Sequence, residues 1–396
     1  MSFRSCVSAL DFSQPPGSVD AVRANADLDE HRTMIADRPN ADQASACSVI
    51  LHHARLAALA GLVFGALMLA ATQLTAQSAT SDRTLVVLGF GGSYGQAIKD
   101  VVIAPFERQT GIKTIYNETC CASVGSAMEA DQFLADVVIG IDYGGLLSWA
   151  NRNYLRSDER FATLAKECGM PSQFVRPVGL VTQEYAYVIA GHGRDQHLPI
   201  SWAQFWDAKT FPGPRSLNRI SPSGQMEAAL LADGVAPDSL YPLDIDRAFA
   251  SLDRLRKSTK VMFAQSGADQ VNMLATGAVE YAIGYSNRIY AGIRDGLPIS
   301  YTLDQGLHTE VAAGLFRTAR NVDGALAFLA YQMRPEVLSA IAERTGLRPL
   351  CPQMLKPPEA GVASPATGGK EIRLNFEYWG QNRESVGNRW VEWIVK

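Results

Sequence analysis

Short apolar runs and amphipathic stretches alternate along residues 84–190. Thr84-Leu-Val-Val-Leu-Gly-Phe90 is continuously apolar and ends in glycines, which predicts a buried strand of a mostly parallel sheet. Gln96–Gln109 is amphipathic and stops near Gly111, as a helix does. Ile112–Tyr116 reads as a second strand, Val124–Phe133 as a helix and Ala135–Gly140 as a third strand. That alternation is an α/β pattern.

A further strand is expected at Tyr185–Ala190, and the polar stretch 191–199 predicts a crossing between two lobes. Helices follow at 201–206 behind an N-cap serine, then at 225–233 and 245–257. Val279–Gly284 reads as a strand, and 287–295, 325–333 and 335–345 read as helices. Residues 356–370, rich in Pro, Gly and Ala, predict a loop. Trp379, Val386, Trp390 and Trp393 fall at helical spacing, the core-facing stripe of a closing helix.

The longest apolar run, Leu56–Ala71, stands apart from this pattern. His52, His53 and Arg55 precede it and small residues follow it, the layout of a cleaved secretory signal over residues 51–79. An uncleaved signal would leave a membrane anchor instead, although the run is shorter than the roughly 20 residues a span needs. Residues 1–50 are acidic and aperiodic, which fits a mis-called start codon, with the true start at Met34 or later, or a disordered leader. A chain working in the periplasm is expected, which disfavours enzymes dependent on ATP or a diffusible nicotinamide.

Leader and signal aside, roughly 315 residues remain, enough for two domains. A net charge of −4 without a basic, aromatic-laced patch argues against nucleic acid as a partner. Cys120, Cys121, Cys168 and Cys351 show no metal-ligand spacing, so no metal or cofactor is expected. In an oxidising compartment Cys120 or Cys121 can pair with Cys168, or the thiols stay free and buried.

Gly91-Gly-Ser-Tyr-Gly95 fits a nucleophile elbow with Ser93. It follows the first strand rather than several, and His192, His197 and His308 carry no triad signature, so a secreted serine hydrolase is only an alternative. It also falls one glycine short of a dinucleotide fingerprint, with Tyr94 at the third position. A glycine turn can equally hold a ligand's anionic group without chemistry.

The same segment, with Pro105–Lys113, Ser201–Asp207, Phe211-Pro-Gly213, Ala228–Gly234, Leu240–Asp244, Leu274–Glu280 and the tryptophan-rich tail, resembles bacterial solute-binding proteins of ABC transporters, in the spermidine/putrescine-binding-like group. The resemblance implies a type II-like periplasmic-binding-protein fold of two discontinuous α/β lobes around a ligand cleft. The first lobe would comprise 84–190 completed by about 309–345, and the second 191–308 completed by about 346–396, with crossings near Ala190, His308 and Gly346. It implies a monomer that delivers a small polar solute to permease and ATPase subunits, or a sensor sharing the fold.

Ligand-binding residues carried over from the resemblance are Ser93, Tyr94, Asp142, Tyr143, Ser221, Ser223, Tyr285, Ser286, Arg288 and Glu310. Polyamine binders cage ammonium groups with acids and tryptophans. Here Ser221-Pro-Ser-Gly224 replaces two acids, and Arg288 opposes the remaining Asp142 and Glu310. A carboxylate or another acceptor-rich solute is therefore expected, with polyamine as the alternative.

Overall fold

Among the described residues, twelve strands join in a single sheet whose middle is two long antiparallel strands. The computed structural model describes residues 84–120, 124–130, 132–194, 197–351 and 371–396. The leader, the signal, Cys121 and the loop 356–370 lie outside the described residues. All the described residues belong to one unit, Thr72–Lys396. Among them, no helix is long and apolar enough to cross a membrane.

The strands in chain order are β1 (Thr84–Leu88), β2 (Lys113–Asn117), β3 (Val137–Asp142), β4 (Leu155–Arg156), β5 (Val175–Arg176), β6 (Gly179–His192), β7 (Arg215–Asn218), β8 (Val261–Ala264), β9 (Tyr281–Tyr285), β10 (Ile299–Phe316), β11 (Arg348–Pro349) and β12 (Ile372–Arg373). β1 pairs in parallel with β2 and β3, and β7 in parallel with β8 and β9. The short β4, β5, β11 and β12 flank β6 and β10.

Two main hydrophobic cores flank the long strands. One gathers Leu85, Val87, Phe106, Leu329 and Ile341, and includes Val181 of β6 and Val311–Phe316 of β10. The other gathers Trp202, Leu217, Leu252, Trp379, Trp390 and Trp393, and includes Tyr187 of β6 and Leu307 of β10. Both strands therefore change cores over a few residues, Thr182–Ala186 on one and His308–Glu310 on the other. Ala190 sits beyond that exchange, in a third, smaller core with Leu274 and Ile299.

Local chemistry explains many boundaries. Ser201 Oγ accepts from Gln204 N (3.2 Å), and Asp244 Oδ1 accepts from Arg247 N (3.0 Å). Gly111 and Gly346 close helices in the left-handed region, at φ +74° and +71°. The first helix begins at Gly92, earlier than its amphipathic pattern, and passes through a π-helical segment, Lys99–Ile103, before Pro105. The closing helix, Phe376–Ile394, buries all four residues of its predicted stripe. Cys168 pairs with Cys351 rather than with Cys120 or Cys121, because the end of the helix Arg160–Glu167 lies against the chain leaving β11. Cys120 is also disulfide-bonded.

Candidate functional site

The register of β6 fixes one face of the crossing strands. Tyr187 pairs with Leu307 and with Tyr285, and Tyr185 pairs with Thr309. Antiparallel partners share a face, so Tyr185, Tyr187 and Tyr285 point the same way. Their ring centroids stand 5.2–5.6 Å apart. Tyr185 and Tyr187 were not among the expected site residues, yet their alternation on a predicted strand was the signal. Asn218 Nδ2 donates to Tyr285 Oη at 2.7 Å, which orients that ring.

Asp142 joins this face at the end of β3, opposite Val311. Its Oδ1 accepts from Gly145 N at 2.8 Å, capping the helix Tyr143–Asn151, and also takes an ion pair from Arg383 Nη2. The field of Asp142 reaches all three tyrosine hydroxyls. Burial, before any charge, holds the Tyr187 hydroxyl up at about 12, so the rings stay neutral donors.

Arg288 closes the opposite side. Its Nη1 donates to Gly91 O at 3.3 Å and to the exposed Ser93 Oγ at 3.4 Å, both long. Among the described residues it has no carboxylate partner. Burial lowers its pKa from the ordinary value, and nearby tyrosines, Tyr94 first, oppose that shift. Gly92 (φ +68°) leaves room for the guanidinium, and a Cβ on Gly95 would stand 2.7 Å from Phe90 O. Tyr94 is buried beneath this turn, beside Gly140.

Ser221 and Ser223 lie buried on the third side, their Oγ atoms 2.6 Å apart, with Ser223 Oγ 3.5 Å from Tyr187 Oη. Gln225 ties their loop to Asn218, accepting from Asn218 N at 2.7 Å and donating to Asn218 O at 3.0 Å. Glu227 anchors the helix Gln225–Ala232 by accepting from Gly224 N (2.8 Å), Tyr241 Oη (2.6 Å) and Trp379 Nε1 (2.7 Å).

Three expected residues fall elsewhere. Tyr143 is fully buried in the first core, its ring 4.9 Å from Phe376, because the helix cap at Asp142 turns it inward. Ser286 Oγ accepts from Ala186 N at 3.0 Å and stitches a helix to β6. Glu310 pairs with Glu184 and so points to the opposite face from the tyrosines. There Glu184 accepts from His308 Nδ1 (3.1 Å), Arg348 Nε (2.6 Å) and Arg373 Nη1 (3.0 Å), while Glu310 Oε1 takes only Arg373 Nη1 (3.1 Å).

No general base reaches Ser93 among the described residues. His308 is held by Glu184, His192 Nδ1 lies 2.7 Å from Leu274 O, and His197 stacks on Phe211.

Residues 166–366, just over half of the 396, match the family described as bacterial extracellular solute-binding protein. The chain belongs to that family. It is 27% identical over 355 residues to a gamma-aminobutyric acid-binding protein of Pseudomonas aeruginosa, covering 84% of this chain and 97% of the relative. An ABC transporter substrate-binding protein from Bradyrhizobium japonicum USDA 110 superposes with a TM-score of 0.68 at 26% identity, covering 78% of this chain and 99% of that one. The Atu4243–GABA receptor superposes at 0.69 with 25% identity, covering 78% and 97%. The fold is thus the mixed α/β fold of periplasmic binding proteins. This solute-binding protein is the non-catalytic substrate-binding component of an ABC importer, so the hydrolase alternative at Ser93 falls.

Proposed function

We propose that the cleft takes a small zwitterionic amino acid of the 4-aminobutyrate type. Its carboxylate meets Arg288, Ser93 and the glycine turn, and its ammonium meets Asp142 and the three tyrosines. The unpaired Arg288 carries this reading: a buried-side guanidinium without an acid is short of an anion, and a charge-assisted hydrogen bond there is worth about 1.5–3 kcal/mol. The two relatives named for gamma-aminobutyric acid support it.

A polyamine, the alternative drawn from the spermidine/putrescine resemblance, fits this charge set less well. Asp142 is already engaged by Arg383, and Arg288 repels a second ammonium. Calorimetry on the purified protein decides between them. 4-Aminobutyrate should bind at micromolar or better, and putrescine and spermidine no better than about 0.1 mM, near 5 kcal/mol. Sub-micromolar polyamine binding would sink the amino-acid reading.

Hinging of the lobes about Thr182–Ala186 and His308–Glu310 would part Arg288 from the glycine turn to admit the solute and rejoin them on it, a motion of the kind periplasmic binding proteins make. The protein would act as a monomer serving permease and ATPase subunits, exported by cleavage between Thr72 and Ala79. N-terminal sequencing of periplasmic protein tests the export step, and a mature chain that begins before Leu56 refutes it.

A further inference from the structure

We infer that Arg383, on the closing helix, is the residue that sets the charge preference of the cleft. The inference rests on the amino-acid reading above. Arg383 reaches Asp142 from 241 residues away and pairs with the same oxygen that caps the helix Tyr143–Asn151. Asp142 is thereby fixed in position and its charge is shared. The Nε of Arg383 is buried without a partner among the described residues, so the guanidinium is held for Asp142 rather than for a network of its own.

The remaining charges make this pair decisive. On the tyrosine face the described acids reduce to Asp142, because Glu184 and Glu310 point the other way. Opposite it stands Arg288, without an acid. Beside the glycine turn Glu118 is paired with Lys99 and adds no net charge, so with Arg383 in place the other side chains are one negative and two positive, a balance that admits one ammonium only when a carboxylate comes with it. Without Arg383, Asp142 is unshared and the cleft is neutral. A second ammonium then loses much of its repulsion.

The helix holding Arg383 is itself firmly placed. A Cβ on Gly144 would stand 2.7 Å from Trp379 Cβ, one on Gly380 would stand 2.9 Å from Leu147 Cβ, and Asn151 Nδ2 donates to Gly380 O at 3.1 Å. These close approaches set the closing helix against the helix that Asp142 caps. Arg383 is a positioning and selectivity residue: it acts on the solute through Asp142.

Putrescine and 4-aminobutyrate share a four-carbon chain and one ammonium, and differ at the other end. Calorimetry with both, on wild type, Arg383→Met and Arg383→Lys, tests the inference. Arg383→Met should bind putrescine at least ten-fold more tightly than wild type does, and Arg383→Lys should keep the wild-type preference. A folded Arg383→Met protein with no gain for putrescine overturns it, as does an equal gain in Arg383→Lys. Should Arg383→Met not fold, Asp142→Asn gives the answer, since Asn still caps the helix. Its preference for 4-aminobutyrate over butyrate should fall at least ten-fold, and an unchanged preference overturns the inference. A wild type that ignores 4-aminobutyrate would count against the amino-acid reading alone, because the putrescine gain reads Arg383 directly.

Discussion

Glu184 and Glu310 are direct partners across β6 and β10, and their carboxyls are driven in opposite directions. Burial raises both, but His308, Arg348 and Arg373 outweigh it at Glu184 and hold that carboxyl at about 2. At Glu310 burial wins over Arg373, and the pKa is raised. The difference is the number of donors. It falls where both strands change cores, so the charge network fastens the crossing segments.

Glu184→Gln should destabilise the protein by about 1–3 kcal/mol: the carboxylate is buried, but Arg348 and Arg373 are partly exposed and water takes up part of the loss. Because its folded pKa lies below the ordinary 4.5, the stabilisation from Glu184 is complete above 4.5 and disappears as pH falls toward 2. Glu310 has the opposite sign: its contribution is most favourable at low pH and is lost as pH rises through its raised pKa. Glu310→Gln should therefore raise the melting temperature relative to wild type at pH 7 more than at pH 4. Melting curves across pH 3–8 check both, and a Glu310→Gln protein less stable at pH 7 than at pH 4 relative to wild type contradicts the assignment.

Gly224 sits at φ +79°, and a Cβ there would overlap the ring of Tyr187. Gly224→Ala should cost about 1–3 kcal/mol of stability from backbone strain alone. Displacement of the Tyr187 ring should also weaken solute binding. Thermal melting and calorimetry read the two effects, and a variant with wild-type stability would show that Tyr187 moves freely.

The Cys168–Cys351 bridge spans 183 residues, so a chain-entropy ceiling of about 5 kcal/mol applies to it. Cys168→Ser should lower the melting temperature and leave solute affinity within two-fold of wild type (~0.4 kcal/mol), because both cysteines belong to the first core, away from the tyrosine face. A large loss of affinity would mean that the bridge also positions the cleft.

Strand and helix alternation over 84–142 was legible because each period there is clean. The tryptophan stripe of the closing helix was legible for the same reason. β10 was not, although it is the longest strand. Its first half, Ser300-Tyr-Thr-Leu-Asp-Gln-Gly306, is polar and broken by Gln305 at φ +53°, and only pairing with β6 makes it a strand. Arg383 lies off the apolar stripe of its helix, and nothing local in the sequence links it to Asp142. Glu310 was misleading in another way. Its place in the chain suggested the cleft, but strand register sends its side chain to the other face.

Tyr285 offers the sharpest test of the site. Its ring packs 5.2 Å from Tyr187 and 5.5 Å from Tyr185, and its hydroxyl accepts from Asn218 while one side remains partly exposed. Tyr285→Ala removes an aromatic contact worth about 0.5–1.5 kcal/mol beyond area burial, together with ring area that a bound solute would cover. Affinity for 4-aminobutyrate should fall ten-fold or more. Tyr285→Phe removes only the hydrogen bond to Asn218, so it should fall less, by about 0.5–1.5 kcal/mol. Tyr285 packs against the second core and keeps one side partly exposed, so stability should change modestly in Tyr285→Phe and by more in Tyr285→Ala. Melting temperature and affinity measured on the same samples separate a cleft residue from a core one: a strongly destabilised Tyr285→Ala protein that binds as well as wild type would move Tyr285 out of the site.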